Sequence, residues 1–280
     1  MKIIAGITLF SALTLSAAEP QSVTIHFRAQ VGNEEFSCSK TYPGVGATKT
    51  TLTPRDFRFY VQNVELVDDA GKAKPVELTP DGKWQTDRVA LLDFEDGTGR
   101  CLNGTPETNA AIVGTVAPGN YTGLRFTLGV PFEDNHQDLT SLPSPLNLTA
   151  LFWVWNAGHK FARIEFSTTA LTRGYFLHLG STGCTPNQTK LTIPTQCGQP
   201  NRVAVEFKDF HTGTDTVVAD LATLFNGVDL DQGEKQSGGC MSSPKDAGCA
   251  PIFKNLGLAF GSQLAGEQSF FRKATAAGRP

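Results

Sequence analysis

Apolar and polar residues alternate along this chain in short runs, each bounded by Gly, Pro, Asn or Asp, which is the spacing of half-buried β-strands. Val23, Ile25 and Phe27 alternate with Thr24, His26 and Arg28, and Phe57, Phe59 and Val61 alternate with Arg58, Tyr60 and Gln62. Leu124, Phe126, Leu128 and Val130 do the same with Arg125 and Thr127. Further strands are predicted at 161–168 and 202–208. The runs 150–155 and 175–179 are apolar on both faces, as expected of strands deep in a sheet. Helical spacing is scarce. Val218, Leu221, Ala222 and Phe225 keep it, with Asp215 or Thr216 placed to cap the start and Gly227 the end, and a shorter helix is expected from Pro251. The expected fold is all-β, a sandwich- or barrel-like single domain with long disulfide-stapled loops and one or two short helices.

The N-terminus changes this picture by adding a compartment. Lys2, an apolar run over 3–15 and the small residues Ser16-Ala17-Ala18 form a cleavable signal peptide at 1–18, leaving 19–280 as the β domain. The apolar run is shorter than the roughly 20 residues that a spanning helix needs, and no later segment reaches that length without charges. A periplasmic or secreted protein without membrane insertion is therefore expected. The formal charge of −3 is spread over scattered acidic and basic residues, so no nucleic-acid footprint is present.

Six cysteines, Cys38, Cys101, Cys184, Cys197, Cys240 and Cys249, form an even set in a chain with an export signal, which predicts three disulfides. No C-x-x-C spacing favours a zinc ribbon or a redox pair. Loop length favours Cys184 with Cys197 and Cys240 with Cys249, leaving Cys38 for Cys101, without excluding other pairings. The segment 229–250 is rich in Gly, Ser and Asp and is expected to be a stapled loop.

Catalytic signatures are missing: there is no G-x-S-x-G, no H-E-x-x-H, no P-loop and no dinucleotide fingerprint. Asp229, Asp231, Gly233 and Glu234 suggest a calcium loop only loosely, because the closing positions of that pattern are absent, and a plain acidic turn is the simpler reading. Histidine is the informative residue. There are five, His26, His136, His159, His178 and His211, and with the cysteines tied up imidazole is the main transition-metal ligand on offer. His136 falls in a polar loop after a strand, and His178 projects from the strand 175–179 on the face opposite Tyr175, Leu177 and Leu179. His159 follows a probable turn at Asn156-Ala157-Gly158, where solvent exposure is the default. A lone histidine in such settings is commonly a hydrogen-bonded structural residue. Trp153 and Trp155 form a W-x-W that, on a strand, points to one face, and by itself such a pair reads as core packing.

Several linked stretches resemble one family. They are Thr53-Pro54-Arg55-Asp56-Phe57-Arg58-Phe59-Tyr60, Ala90-Leu91-Leu92-Asp93-Phe94-Glu95-Asp96-Gly97-Thr98-Gly99, and Gly129-Val130-Pro131-Phe132 leading to Asn135-His136. Phe152-Trp153-Val154-Trp155, His178-Leu179-Gly180-Ser181-Thr182-Gly183-Cys184 and Gly239-Cys240-Met241-Ser242 follow in the same order. As a set they are similar to the MbnP family, extracytoplasmic copper proteins found with methanobactin operons. The resemblance implies one copper ion, held chiefly as Cu(I), and oxidation of the first tryptophan of the W-x-W to kynurenine by MbnH, a diheme protein related to cytochrome c peroxidases. Carried onto this chain, the modified residue is Trp153 and the copper ligands are His136 and His178. His26 and Met241 are secondary candidates, Met241 with a packed side chain in a disulfide loop as the alternative, and Trp155 is placed beside the site to exclude water. The protein is then a carrier of copper and not an enzyme. The competing reading is a secreted β-fold hydrolase or a glycan- or protein-binding module, with the W-x-W as core or stacking platform.

Overall fold

The structure, a computed structural model, describes residues 18–153, 157–186, 192–232 and 237–275. Their strands are β1 (Gln21–Val31), β2 (Glu34–Glu35), β3 (Tyr42–Val45), β4 (Thr50–Asp68), β5 (Ala73–Pro75), β6 (Glu77–Leu78), β7 (Val89–Asp93), β8 (Ala111–Val116) and β9 (Tyr121–Leu128). They continue as β10 (Ala162–Ser167), β11 (Gly174–Leu179), β12 (Thr182–Thr185), β13 (Gln196–Gln199), β14 (Val203–Phe207), β15 (Asp215–Asp220), β16 (Ser237–Cys240) and β17 (Phe271–Thr275). Three short helices, α1 (Phe132–Asn135), α2 (Leu221–Leu224) and α3 (Cys249–Asn255), interrupt them.

One sheet runs β17-β15-β1-β8-β6, and a larger, curled one runs β14-β9-β4-β10-β11-β16. The long β4 organises the second, pairing also with β3, β5 and β7. The alternation read from sequence is realised: Val23, Ile25 and Phe27 of β1 face inward, and His26 faces out. Aromatic rings lock the two sheets together. Phe27 meets Phe126 at 5.6 Å and Phe59 meets Phe271 at 5.4 Å, edge to face in both cases. Such pairs add roughly 0.5–1.5 kcal/mol beyond their buried area.

β4 is buried on both faces, because Asp56, Arg58, Tyr60 and Gln62, which alternate with the core phenylalanines, are covered as well. Part of the cover is the chain between β9 and β10, pinned by Tyr60, whose hydroxyl donates to the Pro145 carbonyl at 2.8 Å. That cover carries the candidate site.

Three disulfides join Cys38 to Cys101, Cys184 to Cys197 and Cys240 to Cys249. Other expectations need correction. Of the predicted run, 154 and 155 lie outside the described residues, and residues 150–153 do not form the start of a strand: a 3-10 turn at Thr149–Leu151 leads to Phe152, which makes an isolated bridge to His159. Their continuous apolarity reflects packing against the sheet beneath. Val218 lies in β15, and the helix begins only at Leu221 with Asp220 as its cap, accepting from Ala222 N–H at 2.9 Å. Pairing with β1 on one side and β17 on the other overrides the helical spacing there. The 229–250 segment contains a strand, since β16 runs parallel to β11 with Cys240 opposite Leu177. The Asp229 and Asp231 carboxylates are used locally, on Asp231 N–H and Thr168 Oγ1.

Candidate metal centre

β11 delivers His178. Strand alternation sends Tyr175, Leu177 and Leu179 into the core and leaves Phe176 and His178 on the other face, above Glu165 and Arg163 of β10. His178 is still buried, and its Nε2 lies 2.7 Å from Glu165 Oε1. Burial lowers the imidazole pKa although the Glu165 contact works against it, so the ring is neutral near pH 7. Glu165 stays ionised: burial opposes its charge, but the His178 hydrogen bond and Arg163 hold it at about 2. A carboxylate at this distance accepts, so Nε2 carries the proton and the Nδ1 lone pair is left to a metal.

Behind Glu165 stands a buried charge ladder. Arg163 Nε reaches Glu165 at 2.6 Å and Asp56 at 3.1 Å, and Arg58 pairs with Asp56. Asp93 lies opposite Arg58 across the β4–β7 pairing, and burial raises it, and Glu95 beyond it, to about 7. Arg163 also donates through Nη1 to the Ala150 carbonyl at 3.1 Å. The same ladder that fixes His178 therefore fixes the turn before Trp153.

His136 follows α1, in the loop after β9 where the sequence placed it, and is buried. Asn135 decides its protonation. The Asn135 Oδ1 accepts from His159 N–H at 2.8 Å, so its Nδ2 is the atom that faces His136 Nε2 at 3.0 Å. An amide N–H donates, hence Nε2 holds a lone pair. That nitrogen also lies 3.3 Å from Cys197 Sγ and 3.8 Å from Cys184 Sγ.

His159 is fully buried, which overturns its expected exposure. Its Nε2 donates to the Leu146 carbonyl at 2.7 Å, Nδ1 faces Asn135 O at 3.3 Å, and the ring is edge-on to Tyr60 and Phe152. Burial lowers its pKa against both carbonyl contacts. Ala157 and Gly158 before it are buried as well rather than left in water. Gly158 is required there, with φ at +86° and room for no Cβ, which would meet the Asn135 side chain at 2.8 Å.

Trp153 is tied to the same turn by its N–H, which donates to Gly158 O at 3.1 Å. Its half-buried indole lies over Gly180, where a Cβ would come within 2.6 Å of Cη2 and Cζ3. Gly180 is two residues past His178, and its N–H donates to Ser242 Oγ at 3.1 Å while Ser242 donates to the His178 carbonyl at 2.9 Å. His136, Trp153 and His178 thus belong to one continuous set of contacts running through Asn135, Gly158 and Gly180.

A family model described as MbnP matches residues 20–242. Among solved structures, MbnP from Methylosinus trichosporium is similar at 31% identity and a TM-score of 0.83, covering 93% of this chain and 100% of that one. The chain belongs to the MbnP family. No curated protein matches it in sequence.

Within this MbnP-family protein the remaining candidates are distributed unevenly. Met241 is exposed and sits between Cys240, opposite Leu177, and Ser242, bonded to His178, so its backbone runs beside that histidine. His26 is on the outer face of β1, in the other sheet. Trp155 lies outside the described residues. Glu165, Arg163 and Asn135, all central to this corner, were given no role from sequence, and His159 was placed in solvent instead. The available signal was the pairing of opposite charges in mid-strand, Asp56 with Arg58 and Arg163 with Glu165, where a buried sheet normally carries apolar residues. No helix among the described residues is long and apolar enough to cross a membrane, and three disulfides suit an oxidising compartment.

Proposed function

We propose that this protein, a member of a family associated with the methanobactin system, is exported and binds one copper ion, as Cu(I), through His136, His178 and a kynurenine made from Trp153. The partner that makes the kynurenine is an MbnH-like diheme protein of the cytochrome c peroxidase family, and the role is copper acquisition or homeostasis. The observation that carries this reading is the neutral His178 with one nitrogen on the Glu165 carboxylate at 2.7 Å, the arrangement that orients metal-ligating imidazoles. His136 also offers a lone-pair nitrogen, fixed by the Asn135 amide.

Trp153 suits the modification. Indole nitrogen is a poor ligand because its lone pair belongs to the ring, whereas ring opening leaves an aniline-type amine and a carbonyl. The atoms that lie over Gly180 are benzo carbons, which survive ring opening, so the anchored part of the side chain is the part that stays. Copper supplies a soft, low-coordinate centre, and the chain's own residues orient both imidazoles and limit water around them. A stacking platform for glycans would want the W-x-W on an exposed strand, whereas Trp153 is half-buried and follows the 3-10 turn at Thr149–Leu151.

The test is to purify the protein expressed with and without the diheme partner, map its peptides and measure metal. Trp153 gains about 4 Da only in the presence of the partner, and copper content rises with it. A copper-loaded protein with Trp153 intact overturns this assignment.

A further inference from the structure

We propose that the Cys184–Cys197 disulfide is a redox gate, whose two-electron reduction by a dithiol donor turns the His136 corner into a two-thiolate, one-imidazole site for a soft monovalent cation. The proposal takes only the identity of the ion, Cu(I), from the copper reading.

Three observations combine. His136 Nε2 and the two sulfurs already lie within 4.8 Å of one another, so one ion could reach all three ligand atoms. The nitrogen facing the sulfurs carries a lone pair, because Asn135 donates to it. Cys184 and Cys197 are register partners on the hairpin β12–β13, so backbone pairing keeps the two side chains opposed once the covalent bond is gone. The other bridges are placed differently. Cys38 with Cys101 and Cys240 with Cys249 are buried at both ends and have carboxylates, Glu95 and Asp246, as their nearest third donors. Cys197 is half-buried, so among the three bridges this one is within reach of an external thiolate.

The chemistry balances. A thiolate of the donor attacks one sulfur, the mixed disulfide resolves through the donor's second thiol, and the donor leaves oxidised to its own disulfide. Two electrons and two protons pass to Cys184 and Cys197, the S–S bond breaks and two thiols form. Cu(I) then displaces thiol protons to solvent and takes the Nε2 lone pair from the Asn135 amide. Thiolate is the softer donor and outcompetes imidazole for Cu(I), so reduction strengthens the hold at His136.

The experiment uses the purified full chain, oxidised or treated with a limiting dithiol, then alkylated for peptide mapping or loaded with Cu(I) for X-ray absorption and affinity measurement. Cys184 and Cys197 are labelled before the other four cysteines, and the reduced protein acquires copper–sulfur scattering. The C184S/C197S double variant lacks that scattering, and H136A weakens Cu(I) binding to the reduced protein about tenfold or more, with near-ultraviolet circular dichroism confirming that both are folded. Earlier opening of either other bridge overturns the proposal, as does nitrogen and oxygen scattering alone from the reduced wild type. Copper in the oxidised wild type and in H178A is measured in parallel. No histidine-dependent copper there counts against the Proposed function alone, because His178 is not part of the sulfur site.

Discussion

His178 and Glu165 share a proton across adjacent strands, Nε2 to Oε1 at 2.7 Å, and that pairing sets which nitrogen of the imidazole can meet a metal. Removing the charge while keeping the shape isolates this effect. Glu165→Gln is expected to weaken copper binding roughly 10–100-fold, the usual cost of losing an outer partner of a ligating histidine. Metal titration against a competing chelator reads it. Unchanged affinity would mean that Glu165 serves only the charge ladder.

Replacing His159 tests structure and not ligation. His159→Ala removes a ring that holds the Leu146 carbonyl, at a stability cost of about 2–4 kcal/mol from the lost hydrogen bond and the cavity. Denaturant midpoints measure it. A cost near zero would contradict the buried placement described above.

Gly180→Ala places a methyl where the benzo edge of Trp153 lies. The indole is expected to move, seen as a changed tryptophan emission spectrum, with copper binding reduced in proportion. His211→Ala, by contrast, changes an exposed side chain beside the exposed Asp209 and should leave copper binding intact.

Asp93 and Glu95 give stability a defined pH dependence. Burial raises both folded values to about 7, against about 4 in the unfolded chain, so between those values the native state binds more protons. Stability therefore falls as pH rises from about 4 to about 7, and Asp93→Asn should flatten that slope. Glu165 acts oppositely: its stabilisation is present above about 4.3 and is lost as pH falls toward about 2. From these three groups, unfolding midpoints across pH 3 to 8 should peak near about pH 4, where the two opposite slopes meet.

Much of this was legible in the sequence. The alternation of Val23, Ile25 and Phe27 and of Phe57, Phe59 and Val61 named their inward faces because each strand has one partner sheet to bury against. Loop length favoured the three disulfide pairings that form, although it did not exclude the others. The residues leading into the W-x-W misled, since continuous apolarity reports burial and not strand geometry, and here a 3-10 turn buries Leu151. His159 was misread because a local turn signal says nothing about what later folds over it. β16 was invisible: Ser237-Gly238-Gly239-Cys240 has no alternation, and its partner is a strand some sixty residues earlier in the chain. Glu165 needed the register of β10 against β11, which no local spacing contains.

β17 has a practical consequence for anyone shortening this protein. The family match stops at residue 242, yet Phe271 from β17 packs on Phe59 and Phe126, and its strand pairs with β15. A chain cut at the family boundary would lose the Phe271 ring and leave β15 as a bare edge, open to pairing with a neighbouring molecule. Such a fragment should precipitate, so the folding unit reaches farther toward the C-terminus than the stretch by which its relatives are recognised.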